Sequence, residues 1–229
     1  MPRQLALDLP TKTALGREDF FVAPANAMAV AAVEGWREWP QRKLLLAGPP
    51  GAGKTHLAHV WAGEAGAAVI SAARLRRADV AALVKDSPRL AVEDGEAVAG
   101  NREAEAALFH LHNLILAEGG HLLLTAAVPP AEWGLTLPDL ASRLQGTPLA
   151  RLEAPDDALL SAVLLKLFAD RQLAVDPGLI GYLLPRMERS FDAARRLVEA
   201  LDREALARRR PITRNLAAAV LDKPDRGHR

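Results

Sequence analysis

The run Gly48-Pro49-Pro50-Gly51-Ala52-Gly53-Lys54-Thr55 fits the spacing G-x-x-x-x-G-K-[ST], which suits a polyphosphate. Glycines let successive backbone N–H groups turn inward, the lysine brings a cation to the β- and γ-phosphates, and the threonine hydroxyl can ligate Mg²⁺. The pattern carries meaning where a strand runs into it and a helix leaves it. Both flanks are present: Lys43-Leu44-Leu45-Leu46-Ala47 reads as a buried parallel strand, and a helix is expected from Lys54. A second chemical element is the apolar run Leu90-Ala91-Val92, closed by Glu93 and Asp94. A Mg²⁺ ion on Thr55 needs a carboxylate from a neighbouring strand end. On this reading Glu93 faces the metal, one methylene longer than the usual aspartate, and Asp94 orients an attacking water. Thr125 ends a further apolar run, where its hydroxyl either touches the γ-phosphate or attacking water, or caps the turn towards Pro129-Pro130.

The elements that must position these residues follow from periodicity. Short apolar runs at Ala67–Ser71, Leu90–Val92, His121–Thr125 and Leu149–Leu152 are separated by helical stretches. Ala25–Trp39 carries apolar residues at helical spacing, and Arg102–Glu118 sets Leu108, Leu111, Leu114 and Ile115 on one face. Strands alternating with helices predict an α/β fold, a parallel five-stranded sheet flanked by helices. After Pro155 the pattern turns wholly helical, beginning with Leu159, Leu160, Val163, Leu164, Leu167 and Phe168. Pro177 and Pro185 bracket a short helix, Ser190 is placed to cap one reaching about Arg208, and Thr213 one ending near Leu221. The expected organisation is a flexible tail over 1–10, set off by Pro2 and Pro10, a nucleotide-binding α/β domain over 11–154, and a small C-terminal helical lid over 155–229 whose basic end frays.

Composition narrows the function classes. At 229 residues the chain suits one large domain or a medium one with a small companion, not several modules. A net charge of +1 gives no global field for nucleic acid or membranes. The absence of cysteine excludes disulfides, thiolate catalysis and cysteine metal sites, and no signal-like or uninterrupted apolar 18-residue run is present, so a cytoplasmic protein is expected. Trp36, Trp39, Trp61 and Trp133 are scattered without basic neighbours in a stripe and read as core. His56 and His59 share a helix face but have no partner to complete a metal shell. Arg208-Arg209-Arg210 falls at a helix C-terminus and reads as a solvated cap.

Together these residues resemble the AAA+ family, and within it the DnaA-like branch that includes the replication regulator Hda. The resemblance spans nearly the whole chain: Asp19-Phe20-Phe21-Val22, Gly48–Thr55, Glu93-Asp94, Phe109-His110-Leu111-His112-Asn113 leading to Leu122-Leu123-Leu124-Thr125, and Leu137-Pro138-Asp139-Leu140-Ala141-Ser142-Arg143-Leu144. It implies an AAA+ P-loop NTPase that binds ADP or ATP with Mg²⁺. It makes Arg143 the finger that reaches a nucleotide held by a neighbouring subunit; the local residues alone also allow a pair with Asp139, one helical turn away. It puts Val22 and Asn26 at the adenine, between the α/β domain and the lid. The family's sensor arginine in the third lid helix falls on Asp192, a departure. Arg189 and Arg195, three residues to either side, are the candidates to replace it. The tail Gln4-Leu5-Ala6-Leu7-Asp8-Leu9 resembles the motif that docks on the DNA polymerase sliding clamp, with Gln4, Leu5, Leu7 and Leu9 as contacts. The implied activity is regulation of replication initiation by stimulating hydrolysis of ATP bound to the DnaA AAA+ domain; intrinsic hydrolysis is left open. A homodimer or oligomer is compatible. With no helix-turn-helix segment after the lid, sequence-specific duplex binding is not expected. Two alternatives stand beside this one, a helicase-loader-type ATPase and a nucleotide-stabilised adaptor that does not hydrolyse.

Overall fold

The computed structural model describes residues 20–222. Five strands, β1 (Lys43–Ala47), β2 (Ala68–Ser71), β3 (Arg89–Glu93), β4 (His121–Ala126) and β5 (Leu149–Arg151), form one sheet in the order β2-β3-β4-β1-β5. All four pairings are parallel, with Leu45 opposite Leu124 on β4 and opposite Leu149 on β5. β1 is therefore an interior strand with a neighbour on each side, and all five of its residues are buried, as the apolar run after Lys43 requires. Alternation splits it between two cores. Leu44 and Leu46 pack with the helices α1 (Ala27–Glu34) and α2 (Lys54–Ala65) on one face. Leu45 and Ala47 pack with α3 (Val80–Asp86), α4 (Arg102–Ala117) and α5 (Pro138–Gln145) on the other. Leu45 has no exposed surface, so Leu45→Ala would cost about 2–5 kcal/mol in lost transfer energy and residual cavity.

From residue 157 the chain is helical: α6 (Asp157–Asp170), α7 (Pro177–Leu183), α8 (Phe191–Arg208) and α9 (Arg214–Leu221). They enclose a third core that includes Leu160, Phe168, Leu201 and Ala217. Ser190 and Thr213 cap α8 and α9, their hydroxyl oxygens accepting from Ala193 and Leu216 amides at 3.0 and 3.4 Å. α8 stops at Arg208, which pairs with Glu204 one turn back. The periodic stretch Ala25–Trp39 is not one helix. α1 ends at Glu34, and a tight turn at Trp36–Glu38 follows Gly35. The turn lets Trp36 and Trp39 both reach Trp61 and His121, with Trp39 stacked on Trp61 at 5.3 Å between centroids. All four tryptophans are buried.

Because every strand is parallel, their C-terminal ends share one edge. The loop 48–53, the Glu93-Asp94 corner and Thr125 emerge there side by side, where β1 has β4 and β5 as neighbours and the strand order reverses.

Candidate functional site

β1 delivers the chain into residues 48–53, and α2 takes it away. Gly51 and Gly53 sit at φ +73° and +95°, a region costly for other residues. A Cβ at Gly51 would run into Ser190, and the Phe191 amide donates to the Gly51 carbonyl at 2.9 Å, so the first turn of α8 rests on the loop. Gly53 caps α2 without a side chain to offer, so the helix's first amides keep their donors for an anion, helped by the positive end of the dipole. Lys54 Nζ curls over the loop, donating to the carbonyls of Gly48 and Pro49 at 2.7 and 3.0 Å. Burial lowers its pKa from the ordinary lysine range, opposed by the charges of Glu96, Asp94 and Asp192. Ala52 is buried beneath the turn and Thr55 is exposed in the first turn of α2.

At the same edge, Glu93 closes β3 with Oε1 buried and, among the described residues, without a hydrogen-bond partner. Leaving such an oxygen unmet costs about 1–3 kcal/mol, which a ligand can return. Asp94 adopts φ 53°, and its amide donates to Thr125 Oγ1 at 3.2 Å. The Thr125 oxygen thus accepts one bond within the corner, which leaves a second lone pair and the hydroxyl proton for another partner. Glu96, which the sequence reading missed, turns back in the tight turn Gly95–Val98: Oε1 accepts from the Ala127 amide at 2.7 Å, while Oε2 is buried and unpartnered among the described residues. The hydroxyl of Thr55 and the orphan oxygen of Glu93 are hard oxygen donors that fit Mg²⁺. No group of three or more His, Cys, Asp or Glu is arranged for a metal among the described residues. Such an ion would therefore draw its remaining ligands from water and phosphate, as Mg²⁺ commonly does. Bound there, it would neutralise charge on the phosphates.

Val22 is 49% exposed, and Asn26 is buried. Asn26 Oδ1 accepts from the Ala23 amide and Nδ2 donates to the Phe21 carbonyl, both at 2.8 Å, which shapes the segment before α1. Phe20 meets His56 edge-on at 5.1 Å, and its ring borders Gly53, so this segment runs beside the phosphate loop. Of the two lid arginines, Arg189 pairs with Asp157 at 2.8 Å, and Arg195 Nη2 stands 3.5 Å from His56 Nδ1 on α2. Asp192 is the lid charge felt at Lys54. Gln4, Leu5, Leu7 and Leu9 lie outside the described residues.

Arg143 is exposed on α5, between the fully buried Leu140 and Leu144. Among the described residues no carboxylate pairs with it, Asp139 included. The two ends of α5 are held by buried charges. Glu105 on α4, with no exposed surface, accepts from the Leu137 amide at 2.7 Å, the Thr136 amide at 2.9 Å, and the Thr136 hydroxyl and Gly100 amide at 3.0 Å. Burial alone would raise its pKa, but these bonds outweigh it and hold the carboxyl below the ordinary range. At the other end, Lys43 Nζ donates to the Arg143 carbonyl at 3.1 Å and lies 3.3 Å from His112 Nε2. Burial lowers the pKa of both Lys43 and His112. Sequence reasoning missed Glu105, His112 and Lys43 in these roles. The available signal was polar residues in apolar settings: Glu105 and His112, seven apart on the stripe of Leu108 and Leu111, and Lys43 opening an all-apolar strand. Lys43 begins β1 whereas the phosphate loop ends it, a span of about 16 Å. The backbone of Arg143 thus lies at the end of the sheet away from its own loop.

Residues 44–103 match the profile of the ATPase family associated with various cellular activities (AAA). Domain III of the Thermotoga maritima replication initiation protein DnaA superposes with TM-score 0.81 at 19% identity, covering 94% of this chain and 100% of that one. AMPPCP-bound DnaA from Aquifex aeolicus gives 0.67 at 21%, covering 81% and 64%. The Thermotoga maritima RuvB Holliday junction branch migration motor gives 0.64 at 21%, covering 86% and 65%. The chain has the AAA+ P-loop NTPase fold, a parallel five-stranded sheet with flanking helices. Within that fold it is similar to the AAA+ portions of DnaA and RuvB, and one of those DnaA structures holds an adenine nucleotide analogue.

Proposed function

We propose that this protein is an Hda-like regulator of bacterial replication initiation. It binds ADP or ATP with Mg²⁺ at Gly48–Thr55 and Glu93, docks on the sliding clamp through Gln4, Leu5, Leu7 and Leu9, and supplies Arg143 to DnaA-bound ATP. The lid over 155–229 closes on the α/β domain, with Val22 and Asn26 at the adenine and Arg189 or Arg195 reaching towards the phosphates. Asp94 and Thr125 address the attacking water. The observation that carries this reading is the guanidinium of Arg143: exposed, without a carboxylate partner among the described residues, and mounted at the end of the sheet remote from its own phosphate loop. A cation so placed can serve a nucleotide in a neighbour, where a finger supplied in trans is worth about 10³–10⁵ in rate.

The test is turnover of DnaA-bound ATP with clamp loaded on DNA. Arg143→Ala should remove the stimulation; full stimulation by that variant refutes the finger. Clamp capture should be lost in Gln4→Ala and Leu5→Ala, and capture equal to wild type refutes the docking. One observation favours a second reading, a nucleotide-stabilised adaptor without hydrolysis of its own. The lid charge near Lys54 is the carboxylate of Asp192, which opposes a γ-phosphate instead of gripping it. ATP turnover by the purified protein above background excludes that reading.

A further inference from the structure

α5 is eight residues long, too short to keep its place through its own hydrogen bonds, yet it carries the arginine on which the proposed function depends. Two buried charges of matched sign grip it. At the N-terminal end, where the dipole is positive, the carboxylate of Glu105 accepts from Thr136 and Leu137. At the C-terminal end, where carbonyls point outward, the ammonium of Lys43 donates to the carbonyl of Arg143 itself at 3.1 Å, and the Thr147 hydroxyl donates to the same oxygen at 3.1 Å.

Lys43 is 2% exposed, and among the described residues no carboxylate pairs with it. A buried ammonium without a counter-ion is costly, and a leucine would complete an otherwise apolar strand. The residue type therefore answers to something other than packing. His112, 1% exposed, completes the arrangement: Nδ1 lies 3.2 Å from Asn113 Oδ1 and donates to it, which leaves the Nε2 lone pair to receive the lysine at 3.3 Å.

We propose that Lys43, oriented by His112, is a positioning residue for Arg143, its ammonium tethered to the arginine's own carbonyl so that the backbone from which the guanidinium reaches towards a nucleotide held by the partner stays in one place. This rests on the in-trans reading of Arg143 and adds the device that holds its backbone.

The experiment follows DnaA-bound ATP turnover, with clamp on DNA, as the concentration of the full-length protein is raised. It compares wild type, Arg143→Ala, Lys43→Met, and the double variant Lys43→Met with His112→Phe. Displacing a catalytic group by about 1 Å costs about 10²-fold, so both Lys43 variants should lose about 10–100-fold in maximal turnover, with half-saturating concentration and ADP affinity unchanged. The double variant removes both buried polar groups together, leaving the Arg143 carbonyl its Thr147 donor and the half-buried Asn113 within reach of water, so its melting temperature should return towards wild type while turnover does not. If turnover recovers along with stability, Lys43 is merely structural and the proposal is overturned. A loss confined to a raised half-saturating concentration overturns it too, because that reports docking. Wild-type turnover by Arg143→Ala would instead bring down the in-trans reading, a result distinct from active Lys43 variants beside an inactive Arg143→Ala.

Discussion

The phosphate edge and the mount of α5 treat their polar groups in opposite ways. At the phosphate edge, bonds are left unmet among the described residues: the first amides of α2 have no side-chain cap, and Glu93 Oε1 and Glu96 Oε2 are buried without partners. Around α5, at the other end, the charged groups are met, although His121 at the start of β4 keeps both ring nitrogens buried without a hydrogen-bond partner among the described residues. Glu105 takes four donors, Lys43 has a carbonyl and an imidazole, and His112 uses both ring nitrogens, while one guanidinium is left exposed. A site that receives a ligand holds back bonding capacity, whereas a mount that presents a group to another molecule commits its capacity to rigidity.

This contrast breaks most severely at Glu105. Glu105→Leu leaves the amides of Gly100, Thr136 and Leu137 buried without acceptors, and we expect a loss of about 3 kcal/mol. Thermal melting should fall by roughly 6–12 °C; a shift within about 1 °C would mean that the mount is not held as described. At the phosphate edge the effect falls on binding instead. Lys54→Met should weaken ADP binding about 10–100-fold, the worth of one or two charge-assisted bonds, and leave folding intact, as titration calorimetry alongside melting would show. Unchanged ADP affinity would place the nucleotide elsewhere.

The smallest effect is on pH dependence. Burial holds the pKa of His112 and His121 below 6.5, so folded rings stay neutral while unfolded ones take up protons. Stability should therefore begin to fall as pH drops through 6.5, each ring adding a slope of at most about 1.4 kcal/mol for every pH unit. Glu105 acts in a lower window: its contribution is present above the unfolded value of 4.5 and is lost as pH falls through the depressed folded value. Melting curves between about pH 7.5 and 5.5 should slope less in the Lys43→Met, His112→Phe double variant, with His121 supplying what remains. An identical slope would remove His112 from the account.

Much of the phosphate edge was legible in the sequence because it is local. Eight consecutive residues specify the loop, and an apolar run specifies the strand before it. Glu93, Asp94 and Thr125 could be expected beside the loop because strand ends in a parallel sheet meet at one edge. Glu96 escaped because a tight turn carries it back to the Ala127 amide beyond β4, and no periodicity marks that turn. The α5 mount was invisible for a different reason: residues 43, 105, 112 and 143 come from three elements and meet only when α4 and α5 close on the sheet. The end of α1 escaped because tertiary packing decided it, the tryptophans at 36 and 39 needing a tighter turn than the helical period offers.

The division of labour between the two ends is tested most directly by two readouts on one preparation of Arg143→Ala protein: its affinity for ADP, and the rate at which it clears ATP from DnaA with clamp on DNA. We predict wild-type ADP affinity together with a rate reduced by about 10³-fold or more. Weakened ADP affinity with the rate preserved would mean that Arg143 serves its own nucleotide site, and the account would be wrong at its root.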